Sequence, residues 1–146
     1  MKGKVLARLL DKEGRELDSF EASNIVVNAG EAFLVDHMAE DVTAELFTMK
    51  YMAIGTGITD PVDTQVALVA EVGTRVTGVK SHSGSVYQVL ATFPINNPTA
   101  EVAITELGLF NQSTVLDSVM FNRLKFGIIT KGTADQIEFT VQITAD

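Results

Sequence analysis

The sequence predicts a mainly β domain: an antiparallel β-sandwich or partly closed barrel with one or two short helices. Three observations carry this expectation. Apolar and polar residues alternate over strand-length runs, most clearly in "DQIEFTVQITAD". Glycine-centred turn signals such as "DKEGRE" and "SHSGS" separate those runs. The runs also follow one another without strand-helix alternation, which argues against a parallel, doubly wound sheet. The 146 residues form one domain, 1–146, because one core serves a chain of this length. Surface scaling lets roughly two-thirds of the extended surface be buried.

In chain order, "KVLARLL" and "LDSF" flank "DKEGRE" as a hairpin around Gly14. Met1 to Leu10 is also a candidate contact strand, able to add to a neighbour's sheet edge. "NAGEAFLVDHMAE" offers Asn28 as a helix start, Glu31 in the first turn, and Phe33, Leu34, His37 and Met38 at helical spacing. That helix is expected to cover one end of the sheets. "DVTAELFTM" beyond it reads as a second helical stretch or a loop. "YMAIGTGITD" reads as a strand whose glycines let the chain turn sharply into an ordered loop.

"TRVTGVK" and "SVYQVLATF" pair as a hairpin around Gly84, placing Tyr87, Val89, Ala91 and Phe93 on one face. In "EVAITELGLF" the apolar phase slips from Val102 and Ile104 to Leu107 and Leu109 beside Gly108. Such a slip predicts a bulge or a close backbone approach. Glu106 interrupts the same strand. If buried it must find donors, for instance backbone N–H groups beside Gly108. "VLDSVMFNRLKFGIIT" is a further extended segment, joined by "KGTAD" to a last strand with Ile137, Phe139, Val141 and Ile143 facing inward. Pro61, Pro94 and Pro98 fall in loops or at strand ends, giving about seven strands in all.

Composition narrows the function. A net charge of −8 and a pI near 4.7 disfavour nucleic acid and anionic membrane as partners, since both need concentrated positive charge. With no cysteine there is no disulfide framework, thiolate metal site or thiol nucleophile. The apolar part of "MKGKVLARLL" is broken by Arg8, too short for a signal peptide, and no apolar run reaches spanning length, so a soluble protein is expected. Hydrophobic residues make up 46% of the chain and charged ones only 21%. That balance favours apolar surface covered by other subunits.

"GTGITD" lacks the third glycine of a dinucleotide fingerprint and the Gly-Lys-Ser/Thr of a P-loop, and Asp60 and Asp63 would repel a phosphate. The same aspartates could serve calcium, yet the acidic order of an EF-hand is missing. His37 and His82 accompany no nucleophile motif, so no catalytic residue, cofactor-binding residue or metal ligand is nominated, and no cofactor is expected.

The ordered pieces "NIVVNAGEAFLVDHMA", "YMAIGTGITDPVDTQVALVAEV", "ITELGLFNQSTVLDSVMFNRLKFG" and "DQIEFTVQITAD" resemble a group of small bacteriophage virion proteins. In that group a strand ending in a Gly-Thr-Gly turn leads into a "DT.L..E" segment, and a later strand reads "ITE.GLF". The pattern also occurs in the amino-terminal part of some tail-fibre and tail-collar proteins. The matching positions are Asn28, Gly30, Gly55 to Gly57, Asp63, Thr64, Leu68, Glu71, and Ile104 to Phe110, including Glu106 and Gly108. The resemblance implies a non-enzymatic virion component assembled in the bacterial cytoplasm. Its partners would be the major capsid protein or tail proteins, and it would form a homo-oligomer, a trimer being favoured. Without a fibre-like extension it resembles a capsid decoration (cement) protein more than a long fibre, with a tail, collar, baseplate or fibre-attachment subunit as alternative. A different class, a small carbohydrate- or calcium-binding module, predicts exposed aromatics beside "GTGITD", yet the chain has no Trp and only Tyr51 and Tyr87.

Overall fold

A computed structural model describes residues 1–39 and 48–145. The elements are β1 (Lys2–Leu10), β2 (Glu16–Val26), α1 (Asn28–Ala39), β3 (Tyr51–Gly55), β4 (Glu71–Thr77), β5 (Val79–Ser83), β6 (Val86–Phe93), β7 (Val102–Phe110), β8 (Met120–Lys131) and β9 (Gln136–Thr144). All neighbours pair antiparallel, in the order β4-β3-β7-β8-β2-β1-β9-β6-β5. The two terminal strands, β4 and β5, are consecutive in the chain and separated only by Gly78, so the sheet curls nearly into a closed barrel. Long β2 joins its halves, pairing with β1 along most of its length and with β8 only through Ile25 and Val26.

The interior follows the period-two pattern. Val5 and Ala7 of β1, Val89, Ala91 and Phe93 of β6, and Ile137, Phe139, Val141 and Ile143 of β9 are buried in one cluster. Met52 and Ile54 of β3, with Leu107, Leu109 and Leu124, complete it from the other half. Phe93 and Phe139 meet edge to face, 6.0 Å between centroids. Gly14 and Gly84 take positive φ in the two tight hairpin turns, where a side chain would be strained. Helix α1 lies on β8: Gly30 is buried against the Phe121 carbonyl, where an added Cβ would overlap backbone, and Phe33 enters the core.

Several expectations need correction. There are nine strands among the described residues where about seven were expected, and one of the additional strands arises because "TRVTGVK" is two. Up to Thr77 it pairs with β3, and from Val79 it pairs with β6. Gly78 makes that change of neighbour possible: its N–H donates to the Lys50 carbonyl, and a Cβ there would overlap Val89. Met1 to Leu10 is no free contact strand, since β1 is paired on both sides, with β2 and β9. In β7 the expectation holds: its pairing with β8 shifts register at Thr105, between Ile104 and Glu106, and again between Leu109 and Phe110, and Gly108 between these shifts is a site of close approach. One helix is described. The stretch expected to continue it lies largely in residues 40–47, outside the described ones.

A clamped loop as candidate functional site

Residues 56–70 cross the outer face of β3, β7 and β8. Alternation dictates what they meet there: with Leu107 and Leu109 turned to the core, Glu106, Gly108 and Phe110 point outward. Glu106 stands opposite Gly55, and Arg123 opposite Gly108. Both partners are glycines, which leaves room for the two charged side chains to lie flat on the sheet. Gly55 and Gly57 cannot be replaced cheaply, because a Cβ on either would run into the Glu106 carboxylate.

Glu106 and Arg123 are both fully buried and form an ion pair, Arg123 Nε donating to Glu106 Oε2 at 2.8 Å. The carboxylate also accepts the backbone N–H groups of Gly57 (3.0 Å), Val69 (3.1 Å) and Ala70 (2.8 Å). Arg123 spends its other nitrogens on the same loop, Nη1 donating to Gln65 Oε1 at 3.1 Å and Nη2 to the Thr59 carbonyl at 3.0 Å. Thr105 Oγ1 donates to the Gly57 carbonyl at 2.8 Å. Burial alone would raise the Glu106 pKa, but the Ala70 N–H, the Arg123 guanidinium and the Val69 and Gly57 N–H groups outweigh it and hold the group below its ordinary value. It remains an anion whose four hydrogen bonds exhaust its lone pairs, unsuited to general acid or base work.

Apolar packing completes the clamp. Leu68 drops onto Gly108 and joins Phe110, Met120, Ala53 and Val27 in a second cluster on this outer face. The loop is tied to the start of α1 by the Asn28 N–H, which donates to the Asp63 carbonyl at 2.8 Å. Arg75 braces the neighbouring loop, 111–119. Its guanidinium grips Glu71 through both carboxylate oxygens (2.7 and 2.9 Å), donates to the carbonyls of Gln112 and Thr114 and to Ser118 Oγ, and stacks 3.7 Å over the Phe110 ring.

The structure therefore brings Asn28, Gly55, Gly57, Asp63, Glu106 and Gly108 to one place, with Asn28 and Asp63 contributing backbone groups, while Gly30 packs against the Phe121 backbone of β8. Thr64 is exposed on the loop and adds no hydrogen bond to the clamp among the described residues. Glu106 finds its donors in the far loop and not beside Gly108. Arg123, Arg75 and Gln65 were not singled out from the sequence. For Arg123 the signal was available, since a lone arginine inside the apolar run "VMFNRL" carries the same message as Glu106 inside "ITELGLF".

Elsewhere, Asp60 is taken up by Lys125 at 2.6 Å, and no group of three or more His, Asp or Glu able to hold a metal occurs among the described residues. His37 stacks on Phe33 and His82 is an exposed residue of β5. Tyr51 and Tyr87 are both half-buried, and the Tyr87 hydroxyl donates to the Met49 carbonyl. A mostly apolar cavity of about 350 Å³ between α1 and the barrel end is lined by Phe33, Leu34, Met49, Tyr87, Phe121 and Ile143, among others. No described helix is long and apolar enough to cross a membrane. No family model, curated protein or solved structure matches the chain.

Proposed function

We propose that this protein is a non-enzymatic structural component of a bacteriophage virion, a capsid decoration (cement) subunit that binds the outer capsid as a homo-oligomer. One observation carries the proposal. Among the positions singled out through the resemblance, Asn28, Gly55, Gly57, Asp63, Glu106 and Gly108 converge on the loop clamp, where they act mechanically: glycines admit a carboxylate, the carboxylate holds three N–H groups, and an arginine neutralises it. The product is a stiff loop with Ile58, Val62, Val66 and Val69 exposed on it, as a docking element requires. A tail, collar or baseplate subunit shares the resemblance and would need the same stiffness.

Gold-labelled antibody against this protein, applied to phage particles from cells that express its gene, tests the proposal by electron microscopy. Label distributed over the head supports the decoration role. Label confined to the tail or collar moves the protein to the alternative, and particles free of label reject both.

A further inference from the structure

Charge is unevenly distributed along the chain. The 29 residues from Val72 to Ala100 contain no Asp or Glu, although the whole chain carries 19. Arg75 within them is neutralised by Glu71, which leaves Lys80 as the unpaired lysine or arginine of the stretch among the described residues. Lys80 sits on β5, a terminal strand of the sheet, exposed at all five positions and, among the described residues, paired only with β6. Next to it, Val79 is 73% exposed. An open edge with an exposed valine and a free cation is a surface still to be covered.

The clamped loop has the opposite character. Ile58 and Val66 are 74% and 67% exposed, and Asp63 beside them is exposed with its carboxylate in no ion pair among the described residues. We propose that these two surfaces fit each other between copies of this chain: the 58–69 loop of one copy docks on β5 of the next, with Asp63 facing Lys80 and the loop's apolar side chains covering Val79. Such a contact is head to tail, so its repetition closes a ring or extends a filament. Two copies approaching loop to loop would instead bring Asp63 against Asp63, which like-charge repulsion disfavours. The clamp lowers the entropy lost on docking, because the loop is already held in one shape.

This inference rests on the assembly role proposed above and can fail separately from it. The experiment is sedimentation velocity across a concentration series at low and high salt, on the wild type, Asp63→Lys, Lys80→Asp and the double swap. All changes are on exposed side chains, and circular dichroism checks that each variant folds. The wild type is expected to assemble, more weakly at high salt. Each single swap is expected to weaken assembly roughly tenfold, and the double swap to restore it. Val66→Asp should also dissociate the oligomer. A monomeric wild type at every concentration overturns the inference. So does assembly indifferent to both single swaps, or a double swap no better than the singles. In the indifferent case copies associate through another surface and the virion role is untouched; label-free particles would remove the virion role whatever the sedimentation result.

Discussion

Removing the Arg123 guanidinium tests the clamp most directly. In Arg123→Ala the fully buried Glu106 carboxylate keeps its three N–H donors but loses the one cation that pairs with it among the described residues. Breaking a buried pair from one side costs about 3–5 kcal/mol, because the surviving charge is left uncompensated. That is a large share of the roughly 5–15 kcal/mol that holds a domain together. For a chain of this size it lowers Tm by about 10–15 °C. Two further bonds, to Gln65 and the Thr59 carbonyl, go with it, so the damage should concentrate in the loop. Urea unfolding measures the global loss, and amide hydrogen exchange at Gly57, Val69 and Ala70 should accelerate roughly a hundredfold.

The same pair fixes a pH dependence. The folded Glu106 pKa lies below its ordinary value of 4.5, so its stabilisation is complete above that value and drains away as pH falls through the folded pKa. In the wild type minus Glu106→Gln difference, this appears as a stability gap that narrows in acid. A loss under about 1 kcal/mol in Arg123→Ala, with the three amides still protected, would refute the idea that this ion pair holds the loop.

Gly57→Ala places a methyl 2.5 Å from Glu106 Oε1 and 2.6 Å from the Val69 Cβ, and should destabilise by about 1–3 kcal/mol in thermal unfolding. Arg75→Ala removes the brace on the 111–119 loop, so limited proteolysis should cut between Gln112 and Ser118 faster than in the wild type while the β9 segment stays protected. Lys131 is fully buried with its Nζ donating to the Pro94 carbonyl, and burial pushes its pKa below 10.5 despite the opposing pull of Asp135. For a base a lowered pKa is a penalty on the charged form, which is full below the folded pKa and fades as pH rises through it toward 10.5. Relative to Lys131→Met, the wild type should therefore gain stability across the alkaline range, read from urea midpoints at matched pH.

The sequence by itself determined the strands whose two faces differ in polarity. In β9 and β6 the inward set is legible residue by residue, because a side-chain period of two and a half-buried sheet leave one arrangement that buries the apolar row. The hairpins around Gly14 and Gly84 were legible for a local reason, the positive φ a tight turn demands. The start of α1 at Asn28 was legible from its local helix-start signals. Tertiary structure alone decided whatever depends on residues far apart in the chain. Nothing in "TRVTGVK" says that its halves join different neighbours, since Gly78 yields only when β3 and β6 stand on either side of it. Glu106 announced that it needed donors, but these come from 36 to 49 positions away, brought within reach when the loop folds over the outer sheet face. A periodic pattern records which way a side chain points; which distant group waits there is set by closure of the sheet.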